Sequence, residues 1–317
     1  MYRWKDKRCL VTGGSGFIGG SLVKELLKRE SIVDIVDNFS VGTPESVPEG
    51  VNEIYEGDLS KELLLKIKNN YDIVFHFGSP CTILFFDKDP LKYYFNSVTG
   101  SYGVREFCKE RKIPYLVYAS SASCYGSFSE IKNDNGYQED RKSTPASMYG
   151  LEKATEENMD WMYPEIPFKL GLRIFPAYGS REYLKGDVAS VPYKFCKEMI
   201  KGRQPEIWGS GKQSRDFIYI DDLVDCILSL IDRFAYGIFN IGTGTSVTYL
   251  QLVDIINQVL DTDIEPKFSN KPFEYNYVRD LVCDTTKLLE YLGRIRFTCI
   301  EDGIKRMIDE MLEMEID

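Results

Sequence analysis

The fold class this sequence predicts is α/β: a doubly wound parallel sheet with a smaller, mixed α/β carboxy-terminal domain. Three observations predict it. Strand-like and helix-like segments alternate through the first 175 residues, as in βαβ units, whose helical crossovers leave neighbouring strands parallel. A glycine-rich turn joins the first strand to the first helix. The chain has 317 residues, 43 % of them hydrophobic, enough for one large core or two coupled ones.

Taken in order, RCLVT at 8–12 is a short buried-strand candidate and FIGGSLVKELLKR at 17–29 has helical periodicity. VDIVD at 33–37 and VNEIYEG at 51–57 are strands, followed by a helical ELLLKIKNN at 62–70. DIVFHF at 72–77 is the next strand, and residues 90–111 read as a long helix despite internal glycines and β-branched residues. IPYLVYAS at 113–120 and FKLGLRIF at 168–175 are strands on either side of a further helix. The second half is less regular. Helices are expected within 187–201, where Pro192 disturbs or begins the helix, and at 248–260 and 300–315. A strand enters a helix across 216–234, and 236–241 is a strand. This divides the chain into a first domain of residues 1–175, joined by 216–245, and a second of 176–215 and 246–317.

Net charge is −10 and the isoelectric point about 4.9, which argues against broad nucleic-acid binding but allows a local basic pocket. The eight cysteines form no C-x-x-C pair and His76 is the only histidine, so no metal site is expected. The amino terminus runs from charged residues into a strand without a signal-peptide pattern, and no uncharged apolar run approaches 18 residues. A cytoplasmic protein without membrane contact is the expectation.

VTGGSGFIGGSL follows the first strand directly. Gly14, Gly16 and Gly19 give G-x-G-x-x-G, and Gly13, Gly16 and Gly19 give G-x-x-G-x-x-G. Glycines here permit a tight turn and close approach of backbone to a pyrophosphate, and the following helix offers free N–H groups to the anion. Strand, loop and helix together mark a Rossmann-type dinucleotide site. The next strand ends at Asp37, whose carboxylate suits a ribose diol and opposes a 2′-phosphate. The following NFSVG has no arginine to receive that phosphate, so the cofactor expected is NAD rather than NADP. Asp58 is a candidate adenine contact or a turn cap.

SMYGLEK at 147–153 places Tyr149 and Lys153 four residues apart, on one face of a helix. The pair reads either as an ordinary surface pair or as a catalytic base with its cation. Free tyrosine ionises near pH 10, so working near neutrality requires roughly 4 kcal/mol of differential stabilisation, which an adjacent ammonium helps supply.

The ordered set TGGSGFIG, GD at 57–58, HFGSP at 76–80, YASSASCYG at 118–126, YGLEK at 149–153, RIFPAYG at 173–179 and SRDFIYIDDL at 214–223 resembles the extended short-chain dehydrogenase/reductase family, especially its nucleotide-sugar epimerases and dehydratases. The similarity covers nearly the whole chain. It implies Tyr149 as the base, Lys153 as its support and a nicotinamide-ribose contact, and Ser121 as the hydroxyl assisting proton transfer, with Ser120 and Ser123 as local competitors. It implies cofactor contacts from Gly13, Gly16, Phe17, Ile18, Gly19, Asp37, Asn38, Asp58, Leu59, Phe77, Gly78, Ser79, Tyr149 and Lys153. His76 is expected as a loop residue of the cofactor segment. For the substrate, the resemblance implies Ser121, Tyr149 and a diphosphate grip by Arg215, with Arg279 as a second cation. A homodimer is also implied.

Family dehydratases carry an Asp–Glu pair just after the serine position, and related decarboxylases a nearby Glu. Here Ala122 and Ser123 stand there, and neither replaces a carboxylate. The resemblance therefore points to NAD-dependent 4-epimerisation of a UDP-hexose or UDP-N-acetylhexosamine through a 4-keto sugar. Two features pull elsewhere. Pro176 stands where many relatives have a substrate-holding asparagine, and EYLKGDVASVPYKF at 182–195 resembles a segment of some ADP-heptose 6-epimerases. A non-catalytic NAD-binding regulator is the alternative of a different class, and it has no use for the Ser–Tyr–Lys set.

Overall fold

The computed structural model describes residues 2–126, 136–270 and 279–314. Strands β1 (Arg8–Thr12), β2 (Ile32–Asp37), β3 (Glu53–Glu56), β4 (Ile73–His76), β5 (Tyr115–Ser121) and β6 (Phe168–Ile174) join the strand Gly237–Ile241 in a seven-stranded sheet. The order runs Gly237–Ile241, β6, β5, β4, β1, β2, β3. Neighbours from β3 through β6 pair parallel. Successive strands leave β1 in opposite directions, so β1 and β4 flank the switch point, and ligands of such sheets bind beyond the strands' carboxyl ends there. The glycine loop leaves β1 at that end, and Phe77 follows β4 at the same level, its N–H on the Thr12 carbonyl at 3.1 Å.

The connecting helices are α1 (Phe17–Lys28), α2 (Lys61–Lys66), α3 (Ile83–Lys88), α4 (Pro90–Glu110) and α5 (Met148–Asn158). Register aligns Leu10, Val74 and Leu116 across the middle of the sheet. They pack with Leu64 and Ile67 of the α2 region and with Val104 and Phe107 of α4 into one apolar cluster. Each such side chain contributes ~1.5–3 kcal/mol on burial.

α2 ends earlier than its periodicity predicts. Ile67 leaves the helix in extended backbone and is fully buried. α3, unexpected from sequence, is a short helix capped by Thr82. α4 begins as Pro in a first turn should, behind an Asp89 cap that accepts the Lys92 N–H.

The chain separates into two compact units. One comprises residues 2–126, 142–174 and 224–239, and the other the described parts of 127–141, 175–223 and 240–314. In the second, α6 (Val191–Ile200) begins with Pro192 in its first turn, the position where proline's missing N–H costs nothing. It packs with α8 (Tyr249–Leu260) and α10 (Ile300–Glu313). The remaining helices are α7 (Ile220–Asp232), which from Val224 on belongs to the first unit, and α9 (Thr286–Leu292) of the second, not foreseen. Short strands, too brief for a periodic signal, complete this unit: Ser214–Arg215 lies between Val247–Thr248 and Asp280–Leu281. Among the described residues, no helix is long and apolar enough to cross a membrane.

Candidate active site

β5 ends in Ser121, which caps the following turn by accepting the Ser123 N–H at 3.1 Å. α5 starts at a Ser147 cap on the Gly150 N–H. Gly150 lies so close to the turn that a β-carbon there would stand 2.5 Å from the Ser123 carbonyl oxygen. Glycine after Tyr149 thus lets α5 press on the turn carrying Ser121. The Ser121 hydroxyl, at the end of β5, favours ionisation of the Tyr149 phenol. Ser120 instead donates to Glu157 at 2.5 Å.

Lys153, one turn after Tyr149, is buried and donates to the Ser79 hydroxyl at 2.6 Å. This ties α5 to the segment after β4. The helix is held from both sides. Arg173 of β6 grips Glu157 with two contacts of 2.8 Å, and Arg105 of α4 donates to the Glu156 carbonyl at 2.8 Å and to Asp160 at 3.0 Å. Buried fork-shaped pairs of this kind fix orientation more than they add stability.

The Tyr149 ring remains partly exposed and packs on Phe86, with centroids 5.7 Å apart. Burial of its hydroxyl pushes it up to about 12, against the pull of the Lys153 ammonium and the Ser121 hydroxyl.

His76 lies in the strand, as the segment expected at 72–77 has it, and not in the loop of the cofactor segment. It is the last residue of β4 and is buried. Its Nδ1 lies 2.9 Å from the Thr12 hydroxyl and its Nε2 2.8 Å from Ser101. Burial pulls its pKa below the ordinary value although Glu156 opposes this, so it is a neutral ring bridging β1 and α4. A sequence cannot separate a strand's final residue from the first of its loop.

In the glycine loop, Gly13 has φ +71° and a β-carbon there would lie 2.8 Å from the Phe77 carbonyl. A β-carbon on Gly19 would lie 2.1 Å from the Gly13 oxygen. Gly16 is different: its β-carbon would meet only the Gly13 oxygen, at 3.4 Å, so its outer face is open. Asp37 accepts the N–H groups of Ser15 and Phe39, each at 2.9 Å. Phe17 and Gly19 are buried in α1, with Ile18 partly so. Asn38 donates to Asp58 at 2.6 Å, bringing together two predicted contacts from the ends of β2 and β3. Leu59 packs into the core cluster. The Gly78 N–H rests on the Thr12 hydroxyl at 2.9 Å.

Residues 9–242 match the model of the NAD dependent epimerase/dehydratase family. The chain belongs to that family. An uncharacterized protein of Methanocaldococcus jannaschii is 32 % identical, over 98 % of this chain and 97 % of its own. Among solved structures, a UDP-N-acetylglucosamine 4-epimerase of Methanobrevibacter ruminantium superposes with a TM-score of 0.87 at 28 % identity, covering 98 % of this chain and 99 % of that one. A UDP-glucose 4-epimerase of Thermotoga maritima gives 0.90 at 27 % identity, with coverages of 97 % and 99 %.

As a member of this epimerase/dehydratase family, the protein is an enzyme that uses NAD to modify sugars. The loop fits that cofactor. α1 starts at Gly16 without a side-chain cap and without an acidic residue in its first turn. A helix start of this kind suits an anion, and the open face of Gly16 lets one approach. Calorimetry on the apo protein should find NAD bound more tightly than NADP by over about tenfold, ~1.4 kcal/mol, because Asp37 faces a 2′-phosphate with like charge. Tighter NADP binding would contradict this.

In the second unit, Arg215 and Arg279 are neighbours across paired strands. Arg215 donates to the Arg279 carbonyl at 3.0 Å and to that of Ser214 at 2.7 Å. Arg279 is largely exposed, its side chain 3.7 Å from Asp280. Asp216, next in the motif, is buried and accepts the N–H groups of Thr243 at 2.9 Å, Gly244 at 2.8 Å and Cys283 at 3.1 Å. It builds the loop that presents its neighbour. Pro176 supplies its carbonyl to the Ile218 N–H at 3.0 Å, so its backbone still takes part in strand pairing.

Sequence reasoning missed the polar groups around Lys153: Glu152 and Glu156, with Ser101 and Thr12 around His76. One signal was present, since Glu152 and Glu156 are themselves four apart and share a helix face.

Proposed function

We propose that the protein is a 4-epimerase of a UDP-linked hexose or N-acetylhexosamine, working through a transient 4-keto sugar. The observation that carries this is the Ser121–Tyr149–Lys153 cluster, followed at the turn by Ala122 and Ser123 where water elimination or decarboxylation asks for carboxylates. The two solved 4-epimerases of similar fold support the same reaction and the same nucleotide.

The chain's own part is proton traffic and orientation. Tyr149 takes the proton of the C4 hydroxyl and later returns it to either epimer. Ser121 holds the reacting oxygen, and Lys153 keeps the phenol's environment cationic. When bound, NAD would supply a reversible two-electron acceptor and, in its oxidised form, a positive charge. A proton lent and returned by one residue explains why no second acid is present beside Ser121. A panel of nucleotide sugars scored by product NMR tests this. Interconversion of C4 epimers is expected, and a dehydrated or decarboxylated product would overturn it.

Arg215 is the diphosphate anchor in this reading, with Arg279 beside it. Arg215→Ala should weaken sugar-nucleotide binding by roughly 10–100-fold, ~1.5–3 kcal/mol for a charged hydrogen bond, and leave NAD affinity unchanged. Parallel titrations decide it, and unchanged sugar-nucleotide affinity in a folded variant removes Arg215 from the role.

The working form in this reading is a homodimer. Leu91, Phe95 and Tyr102 of α4 stand exposed by 63 %, 60 % and 48 %, at spacings that align them along one helix face. That apolar stripe suits a second copy of the same helix. Light scattering on wild type and on Phe95→Glu should find a dimer and a monomer.

A further inference from the structure

Lys153 faces two buried carboxylates. Glu152 and Glu156 sit one turn apart on α5, exposed by 0 % and 1 %. The ammonium lies 3.4 Å from Glu152 and 3.2 Å from Glu156. Glu156 also accepts the Ser101 hydroxyl and stands 3.6 Å from His76 Nε2. Glu152 has no such company: its Oε2 meets no hydrogen-bond donor among the described residues, although the ammonium is 3.4 Å away.

The charged and titratable groups facing the pair are Lys153 and Tyr149 from α5, His76 from β4 and Arg105 from α4. Cys81, after β4, faces Tyr149. Arg105 is spent on Asp160, and His76 is neutral. Two carboxylates therefore compete for one cation in a dry setting, and like charges so placed do not both ionise.

We propose that Glu152 and Glu156 together carry one negative charge and one proton, that the proton rests on Glu152, and that this placement keeps Tyr149 able to ionise. Both are positioning residues that act through Lys153, and the inference rests on Tyr149 being the base. Burial, with the Glu156 charge beside it, raises the proton affinity of Glu152 well above the usual carboxylate range. Burial penalises the charge of Glu156 too, but Lys153 and His76 outweigh it and hold Glu156 below that range. The two sites are not equivalent for the tyrosine. A charge on Glu152 opposes the phenolate, whereas Glu156 spends its charge on Lys153, Ser101 and His76.

The consequence has an unusual sign. Deleting the Glu156 charge forces the remaining negative charge onto Glu152, nearer the phenol. Glu156→Gln should then move the acid limb of the kcat/KM profile to higher pH by on the order of half to one unit, a ~3–10-fold loss at fixed pH below the limb. Simple removal of a negative charge predicts the opposite direction. Glu152→Gln mimics the protonated acid and should leave the limb in place.

Infrared difference spectra of the folded holoenzyme at neutral pH test the shared proton without reference to turnover. A protonated-carboxyl band should vanish in Glu152→Gln and also in Glu156→Gln. Persistence of that band in Glu152→Gln overturns the proposal, as does an acid limb that moves down in Glu156→Gln. If Glu156→Gln does not fold, Glu152→Gln alone decides between a lost band and a retained one. A Tyr149→Phe variant with full turnover would sink the base assignment alone, leaving the infrared result to stand for the carboxyl pair.

Discussion

Tyr149→Phe is expected to fold as the parent does, to keep most of its NAD affinity, and to lose turnover by ~10²–10⁴-fold, the usual worth of general acid–base assistance. The substitution deletes one oxygen. The ring keeps its place against Phe86, and the Ser147 cap and Gly150 contact that seat α5 do not involve the hydroxyl. The glycine loop is likewise untouched. Lost is the atom on which the Ser121 hydroxyl and the Lys153 ammonium act. Steady-state rates with product NMR, beside calorimetric NAD titrations, separate the two effects. Wild-type turnover would remove Tyr149 from the chemistry.

Gly19→Ala should damage the protein at the other end of the site. Its β-carbon would stand 2.1 Å from the Gly13 oxygen and 2.8 Å from the Gly13 carbon. These are backbone atoms of the loop itself, so relief requires moving α1 away from the loop. Overpacking of this kind costs ~1–3 kcal/mol. The displaced loop should also weaken NAD by on the order of tenfold or more, ~1.4 kcal/mol. Thermal melts with and without NAD measure both. Gly16→Ala is the control for the melts without NAD, since its β-carbon meets nothing in the protein closer than 3.4 Å. Equal loss of stability of the two variants without NAD would contradict the packing argument.

The sheet was legible because βαβ alternation is periodic and long-range in the chain, and the sheet order places its switch point beside the glycine loop. Tyr149, Lys153 and the loop were legible because each is a local pattern with a fixed spacing. The misses have physical causes. α3 and the short strands of the second unit are too brief to carry a period. His76 fell within an expected strand, but its polar partners Thr12 and Ser101 are 64 and 25 residues away. Glu152 and Glu156 share a helix face by spacing, but only the fold turns that face inward onto Lys153. The loop-building bonds of Asp216 to Thr243 and Cys283 are likewise distant in sequence.

The central claim is internal redox at C4 with Tyr149 as the proton carrier. Its most direct test is turnover of UDP-glucose, UDP-galactose and their N-acetyl forms labelled with deuterium at C4. The account predicts a C4 epimer that keeps its deuterium at C4, with no reduced cofactor accumulating in solution. Loss of the label to solvent, or a stable 4-keto-6-deoxy product, would contradict it.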